Sequence, residues 1–459
     1  MSSKTILNAA LGPTVIALGV ITLPGPAAAQ STSLSQQQAV TMASQHHPAL
    51  EAAAHGVRAA EARTSQTRTA WIPRVKVEAN YLLMAPVQQM VIEEELALPA
   101  PMGPQTIAIE QDIGSLHNYG VGVSAGWRMF EMGARLARTD AAEALERAAQ
   151  AEAEEQGVQI AHAVRSAYQA SRFAEEVETV TKSSLDVAQV ELRNEEIKRK
   201  AGIGNDLDLA RVQMRIAKLE AQLSRASEEK SRFHSTLRLL LGLKPTAQLA
   251  LTDDLKTLGT ASIGGPLRPE QHPRQKKIAA QAQATEHEHE RLWRTYWPTI
   301  DIMGSVKYQY PKSYFDNETG GVFYTAGAFL TWTVFDGDLI RRKRNETEAK
   351  LAALHASSRA TDTEITRQRT DAESKMRAAE SDVQAAERTL ELAEVYRRAA
   401  QASLNAGSGT SLEVSQATDK MDQARLGLVK AYFDSARGRA AYLLAVGQAA
   451  ASSAPEAGR

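Results

Sequence analysis

Two hydrophobic periods divide this chain. In four short runs apolar residues recur at every second position, the period of an extended strand. Val75, Val77, Ala79, Tyr81 and Leu83 share one face against Lys76, Glu78 and Asn80, and Tyr119, Val121, Val123, Ala125, Trp127 and Met129 oppose Gly120, Gly122, Ser124 and Arg128. The pattern returns with Ile300, Ile302, Val306, Tyr308 and Tyr310, then with Val322, Tyr324, Ala326, Ala328, Leu330, Trp332 and Val334. Elsewhere the spacing lengthens to three and four. Leu209, Val212, Ile216, Leu219 and Leu223 form one helical seam, and Val414, Ala417, Met421, Ala424 and Leu428 another, both of coiled-coil type. Before each seam runs a long stretch without proline, Met132 to Lys200 and Gly337 to Asn405. As helices, ~70 residues at ~1.5 Å each reach roughly 100 Å, too long a rod to bury itself in a globule. The seams are narrow and rich in alanine, so each helix can be approached closely from more than one side.

The chain also repeats itself. His47-Pro48 recurs as His272-Pro273, and Trp71-Ile72-Pro73 as Tyr296-Trp297-Pro298, displaced by 225 positions. From Phe130 and Phe335 onward the displacement is 205, through Ala201-Gly202 and Ala406-Gly407, Leu207-Asp208 and Leu412-Glu413, to Gly242 and Gly447. The difference of 20 residues therefore falls between Pro73 and Phe130, in a loop. Duplication of a large unit follows, not the short period of a solenoid. The division predicted is a first repeat over 30–243, a linker over 244–267, a second repeat over 268–448 and a disordered tail over 449–459. Strands are expected near 74–85, 118–130, 299–310 and 321–335, and hairpin tips near 202 and 407.

Each alternating run has about the ~9–11 residues that cross a bilayer as a tilted strand, with aromatics near its ends. A soluble antiparallel sheet with one wet face would alternate in the same way. With no partner sheet and everything else helical, the membrane reading is preferred. Four strands cannot close alone and an open edge is not tolerated in lipid, so the chain must oligomerise. Two copies or three would serve, and spacing does not choose. The first segment agrees with export: Lys4, an apolar stretch from Val15 to Leu23 and Ala27-Ala28-Ala29 read as a signal peptide over 1–29.

Composition narrows the picture further. The 459 residues carry 5% aromatics, a net charge of −1 and a pI near 6.8, so there is no basic field to attract nucleic acid. The absence of cysteine removes disulfides, thiolate metal sites and lipid attachment through an N-terminal Cys. No later stretch is apolar for the ~20 residues of a membrane helix. His287-Glu288-His289 suggests a metal, but positions i and i+2 of a helix point about 200° apart, and a solvated helix face explains them better. No catalytic constellation or phosphate-loop context can be assembled, so neither an enzyme nor a cofactor is expected.

The opening LSQQQAVTMASQHHPALEAAAHGVRAAEARTSQTRTAWIPRVKVEANY, the junctions FEMGARLARTDAAEA and FDGDLIRRKRNETEA, and the hairpins AGIGNDLDLARVQ and AGSGTSLEVSQAT resemble TolC-type outer-membrane efflux proteins over nearly the whole mature chain. The resemblance implies a mixed α/β membrane protein: a homotrimer with a twelve-stranded transmembrane β-barrel, four strands per protomer, continued by a long periplasmic α-helical barrel of coiled-coil hairpins. It implies outer-membrane lipid around the barrel, outer loops at 84–117 and 311–320, and work with a periplasmic adaptor and an inner-membrane pump. It carries adaptor docking to Gly202, Ile203, Gly407 and Ser408, although glycines also end helices for purely structural reasons. In the family, acidic rings at the second tip narrow the pore. Glu413 matches the first such position and the neutral Gln416 the second, with Asp208 as the repeat mate of Glu413. An ordinary carboxylate near a helix N-terminus is the competing account. The family's basic latch residue has no counterpart, because Gly409 stands there; closure would rest on packing or on Asp208, Thr410 and Ser411. The rival to a duct is a periplasmic coiled-coil scaffold without a pore. Whether a duct would pass drugs, metal ions or a polypeptide is left open.

Overall fold

A computed structural model describes residues 32–96, 105–113, 115–260, 269–313 and 319–449. The signal segment 1–29, the linker positions 261–267 and the tail from 450 lie outside these ranges. In chain order the first part comprises β1 (Thr32–Leu34), α1 (Gln36–His46), α2 (Pro48–Arg68), β2 (Arg74–Leu83), β3 (Gln88–Leu96), β4 (Gln105–Ile113), β5 (His117–Phe130), α3 (Ala134–Lys200) and α4 (Asp206–Leu240). There follow β6 (Leu249–Leu251) and α5 (Leu255–Thr260), then α6 (Pro273–Arg294), β7 (Thr299–Tyr310), β8 (Gly321–Thr331), α7 (Leu339–Asn405) and α8 (Ser411–Ala445). The two long helices both have 67 residues and the two return helices both have 35.

The repeated motifs have identifiable local work. His47 and His272 are helix N-caps: each Nδ1 accepts the backbone N–H two residues on, at 3.2 Å, with proline at the first helical position. Burial, aided by Arg274, pushes the His272 pKa down, which keeps its ring neutral and able to accept. Each strand-to-helix junction turns on two successive left-handed residues, Met132 and Gly133 (φ 48° and 75°) and then Gly337 and Asp338 (φ 68° and 70°). The repeat conserves the turn while exchanging which of its two positions is glycine.

The principal sheet is antiparallel in the order β2-β5-β7-β8. Beyond one end of it the helices run as a bundle, with α3 packed against α1, α2, α4, α6 and α8, and α7 against α6 and α8. Around the middle of α3, Leu34, Ala39, Val40 and Ala43 close over Val164, Tyr168 and Leu237. Tyr168 is 0% exposed; its hydroxyl donates to the Leu34 carbonyl at 2.9 Å and accepts from the Asp253 N–H at 3.1 Å.

The expectation of four strands with everything else helical is corrected in two places. The inserted segment between β2 and β5 is not a plain loop, because β3 and β4 pair as an antiparallel hairpin in which Ile92 lies opposite Ile109. The linker is likewise structured: β6 pairs in parallel with β1, and α5 packs on α8, where the Ser435 hydroxyl donates to the Gly259 carbonyl at 2.8 Å. Strands of three residues carry no readable period, and their pairing joins segments far apart in the chain. No helix among the described residues is long and apolar enough to cross a membrane.

Candidate functional site

The register of the principal sheet sorts its side chains into two coherent faces. Val77 lies opposite Val123, Val123 opposite Val306 and Val306 opposite Tyr324; the next row is Ala79, Val121, Tyr308 and Val322. One face is therefore apolar across all four strands, and it is open: Val77 is 72% exposed and Leu330 67%. The other face carries Lys76, Ser124, Ser305 and Thr325 in one row and Glu78, Gly122, Lys307 and Phe323 in the next. An exposed apolar patch of this extent on a folded chain marks a surface for lipid or for another protein. Trp71, Ile72, Trp293 and Trp297, all exposed, collect at the helical end of the sheet, as the aromatic belt of a membrane interface does. The strands β2 and β8 are the sheet's edges and have no partner among the described residues.

The opposite end of the molecule is formed by the two hairpin turns. At the first, Gly202 (φ 76°) sends its N–H to the Arg199 carbonyl at 3.0 Å and Ile203 sends its own to Lys198 at 3.1 Å; Gly407 (φ 77°) and Ser408 repeat this onto Leu404 and Ser403. These are Schellman closures. The second glycine of each motif has a different cause. A Cβ at Gly204 would come within 2.4 Å of the Arg199 backbone nitrogen, and one at Gly409 within 2.9 Å of the Ser403 Cβ. Gly409 thus leaves no room for a side chain. Gly202, Ile203, Gly407 and Ser408 are all exposed, Ile203 at 80%.

The three candidate constriction residues stand just past these turns. Asp208 accepts from Arg211 Nη1 at 2.6 Å within its own helix. Glu413 forms a capping box with Thr410, its carboxylate taking the Thr410 N–H at 3.0 Å while its own N–H reaches the Thr410 hydroxyl at 3.3 Å. Gln416 is exposed. No hydrogen bond or ion pair joins the three, so each carboxylate is engaged locally. His287 and His289 diverge as their spacing requires: His287 Nδ1 lies 3.9 Å from Glu290 and His289 Nε2 3.1 Å from Arg344. The described residues contain no His, Cys, Asp and Glu group able to hold a metal ion.

One cluster near the tip escaped the reading of the sequence. Arg215, 9% exposed, reaches Glu191 on α3 at 3.0 Å and both Asp419, at 3.0 Å, and Asp422, at 2.6 Å, on α8. It fastens the first hairpin to the second. Burial pushes the Glu191 pKa up against the pull of Arg215, with Glu195 and Asp419 adding repulsion. The available signals were a charged residue inside the apolar seam of α4 and two aspartates three apart on α8, but neither names the other.

The sequence pattern described as outer membrane efflux protein matches residues 39–243 and 271–447. Among solved structures the chain is similar to CusC, whose crystal structures concern folding and transmembrane channel formation, with a TM-score of 0.73 at 15% identity over 93% of this chain and 96% of that one. It is similar to the outer membrane protein VceC of Vibrio cholerae, with a TM-score of 0.69 at 16% identity over 90% of this chain and 96% of that one. The MtrE outer membrane channel of Neisseria gonorrhoeae, solved in its open state, gives 0.70 at 15% identity over 90% of this chain and 89% of that one. No curated protein matches the sequence.

Proposed function

The chain belongs to the outer membrane efflux protein family, and on that premise we propose that three copies join into one conduit, with twelve strands in the membrane and a helical barrel through the periplasm. Its place is the outer membrane, where it acts as an exit duct. The observation that carries the assembly is the four-stranded sheet with two bare edges and one continuous exposed apolar face, and the number three comes from the family. In hydrocarbon every backbone N–H and C=O needs a partner, so β8 of one copy closes on β2 of the next. The apolar rows then meet lipid and the polar rows line water.

Energy comes from an inner-membrane pump, and a periplasmic adaptor docks at the exposed hairpin turns through Gly202, Ile203, Gly407 and Ser408. Asp208, Glu413 and Gln416 form the constriction above them. The capping box that holds Glu413 and the Arg211 ion pair that holds Asp208 leave carboxylate oxygens that a ring of copies can present to cations. In fractionated cells the protein is expected in the outer membrane as a detergent-dependent trimer, and a water-soluble monomer after correct export would sink the proposal. Replacement Glu413→Ala should weaken block by multivalent cations in single-channel recordings; unaltered block would remove that residue from the constriction.

A further inference from the structure

Where the sheet meets the helices, its polar face is basic. A cavity of about 620 Å³ there is lined by Arg74, Trp127, Arg128, Glu131, Arg135, Arg138 and Asp301 among others. Four guanidinium groups face two carboxylates, and both carboxylates are already engaged. Asp301 accepts from Arg128 Nε at 2.9 Å, and Glu131 accepts from Arg135 Nε at 3.0 Å with Arg128 Nη1 3.9 Å away. Arg135 is 3% exposed. Its Nη2 donates to the Arg128 carbonyl, and its guanidinium lies 4.5 Å over the Trp71 ring.

One polar atom of this lining is buried without a partner, Arg135 Nη1. It is a donor and cannot accept, so an occupant that satisfies it must be an acceptor. Arg74 and Arg138, both exposed, add two more cations at the rim. An adjoining depression shares Arg74, Gly126, Met303 and Phe329 and continues along the same face past Lys76, Ser124, Ser305 and Thr325. The small hydroxyl residues leave a path open and Lys76 keeps it positive.

We propose that the inner face at the base of the barrel holds an anion-binding site, formed by Arg74, Arg135 and Arg138, for a phosphate, sulfonate or carboxylate group. Guanidinium forks match the planar or tetrahedral oxygens of such groups, and a water-lined but partly enclosed wall strengthens the attraction. Its placement inside the conduit rests on the duct reading. The group then belongs to a solute in passage, because lipid heads lie on the other side of the barrel wall.

Titration calorimetry of the full-length protein in neutral detergent, with inorganic phosphate as the probe, tests the site. The native protein should give saturable heat at about one phosphate per protomer. The double variant Arg74→Gln, Arg138→Gln should bind roughly tenfold or more weakly. A silent native protein, or equal affinity in native and variant, overturns the proposal. If the native protein is silent and the double variant loses its trimer, the cavity is filled by a neighbouring copy and the proposal is again overturned. In phosphatidylglycerol nanodiscs, phosphate heat equal to that in phosphatidylcholine supports a site inside the conduit, and suppressed heat puts the site within reach of lipid heads and overturns its placement. Phosphate binding by a protein that forms no pore in planar bilayers would remove the duct reading and leave the site; a pore that binds no phosphate would remove the site alone.

Discussion

Helices α3 and α7 occupy equivalent places in the two repeats and have the same length of 67 residues, yet they are buried differently. Along α3 the buried residues follow the three-and-four spacing of a full seam, as in Ala134, Ala137, Ala141, Ala144, Ala148 and Ala151, with polar members such as Gln169 and Ser171 sealed in as well. Along α7 the buried residues recur mostly at every seventh position, Ile365, Ala372, Ala379, Ala393 and Ala400. One position per heptad is enough to hold α8 but not to cover a helix in a wall. Leu392, Val395 and Tyr396 on α7 remain about half exposed. Duplication thus produced equal rods with unequal employment: α3 is the axis of the protomer, whereas α7 offers a flank to something outside it. In the proposed trimer that flank meets the next copy.

The sharpest way to break this contrast is to make matched changes at repeat-related positions. Tyr168 on α3 corresponds to Glu373 on α7. Tyr168→Ala empties a fully buried site and strands the Leu34 carbonyl and the Asp253 N–H, and should cost about 4 kcal/mol. Glu373→Ala removes a half-exposed ion pair with Arg369 at 3.5 Å and should cost less than about 1 kcal/mol. Denaturant unfolding followed by helical circular dichroism reads both; comparable losses would mean that α7 is as deeply committed as α3.

A second matched pair probes the return helices. Arg215 on α4 corresponds to Lys420 on α8, which is exposed. Arg215→Met leaves Glu191, Asp419 and Asp422 facing one another without their cation, and should cost about 3 kcal/mol and speed hydrogen exchange near the tip on both hairpins. Lys420→Met should be near neutral. If the Arg215 variant unfolds normally and exchanges no faster, the hairpins are held together by packing alone.

These residues also mark how far the sequence could be read. The four membrane strands and the helical hairpins were legible because each has a sustained period, two or three-and-four, and because the repeat states each of them twice. The turns were legible from Ala201-Gly202 and Ala406-Gly407, since a left-handed residue ends a helix in a known way. The β1–β6 pair and α5 were not, because three paired residues show no period and their partner lies in what composition marks as a linker. Arg215 was hidden because its meaning depends on carboxylates of two other helices. For Glu413 the sequence left a pore ring and a helix cap as alternatives, and the capping box with Thr410 accounts for its local contacts in one chain; the ring is a property of an assembly.

The exposed flank of α7 supplies a smaller effect. Leu392→Glu with Tyr396→Glu places two charges where the contrast locates contact with the next copy. Trimer stability should fall by roughly 2 kcal/mol per copy, from lost apolar burial and charge desolvation. Native mass spectrometry in mild detergent would then show monomer alongside trimer. An undiminished trimer would place that flank against water or a different protein and reopen what α7 is for.

The smallest expected effect is acidic and should fall on α3 rather than α7. Burial raises the Glu175 pKa, but His234, 2.9 Å away, and the hydrogen bond from Arg172 outweigh it, and the net shift is downward from 4.5. A carboxylate whose folded pKa is depressed contributes stability above its unfolded pKa and loses that contribution as pH falls through the folded value. The melting temperature should therefore decline as pH drops below about 4.5, and Glu175→Gln should flatten that decline. On α7, Arg367 and then Gln368 draw Glu364 down to about 2, but the pair lies at the surface and solvent screens it. Glu364→Gln should leave the acid limb unchanged. Should Glu364→Gln flatten the curve and Glu175→Gln not, the buried axis of the protomer would have to be sought in α7, and the contrast drawn from burial would be reversed.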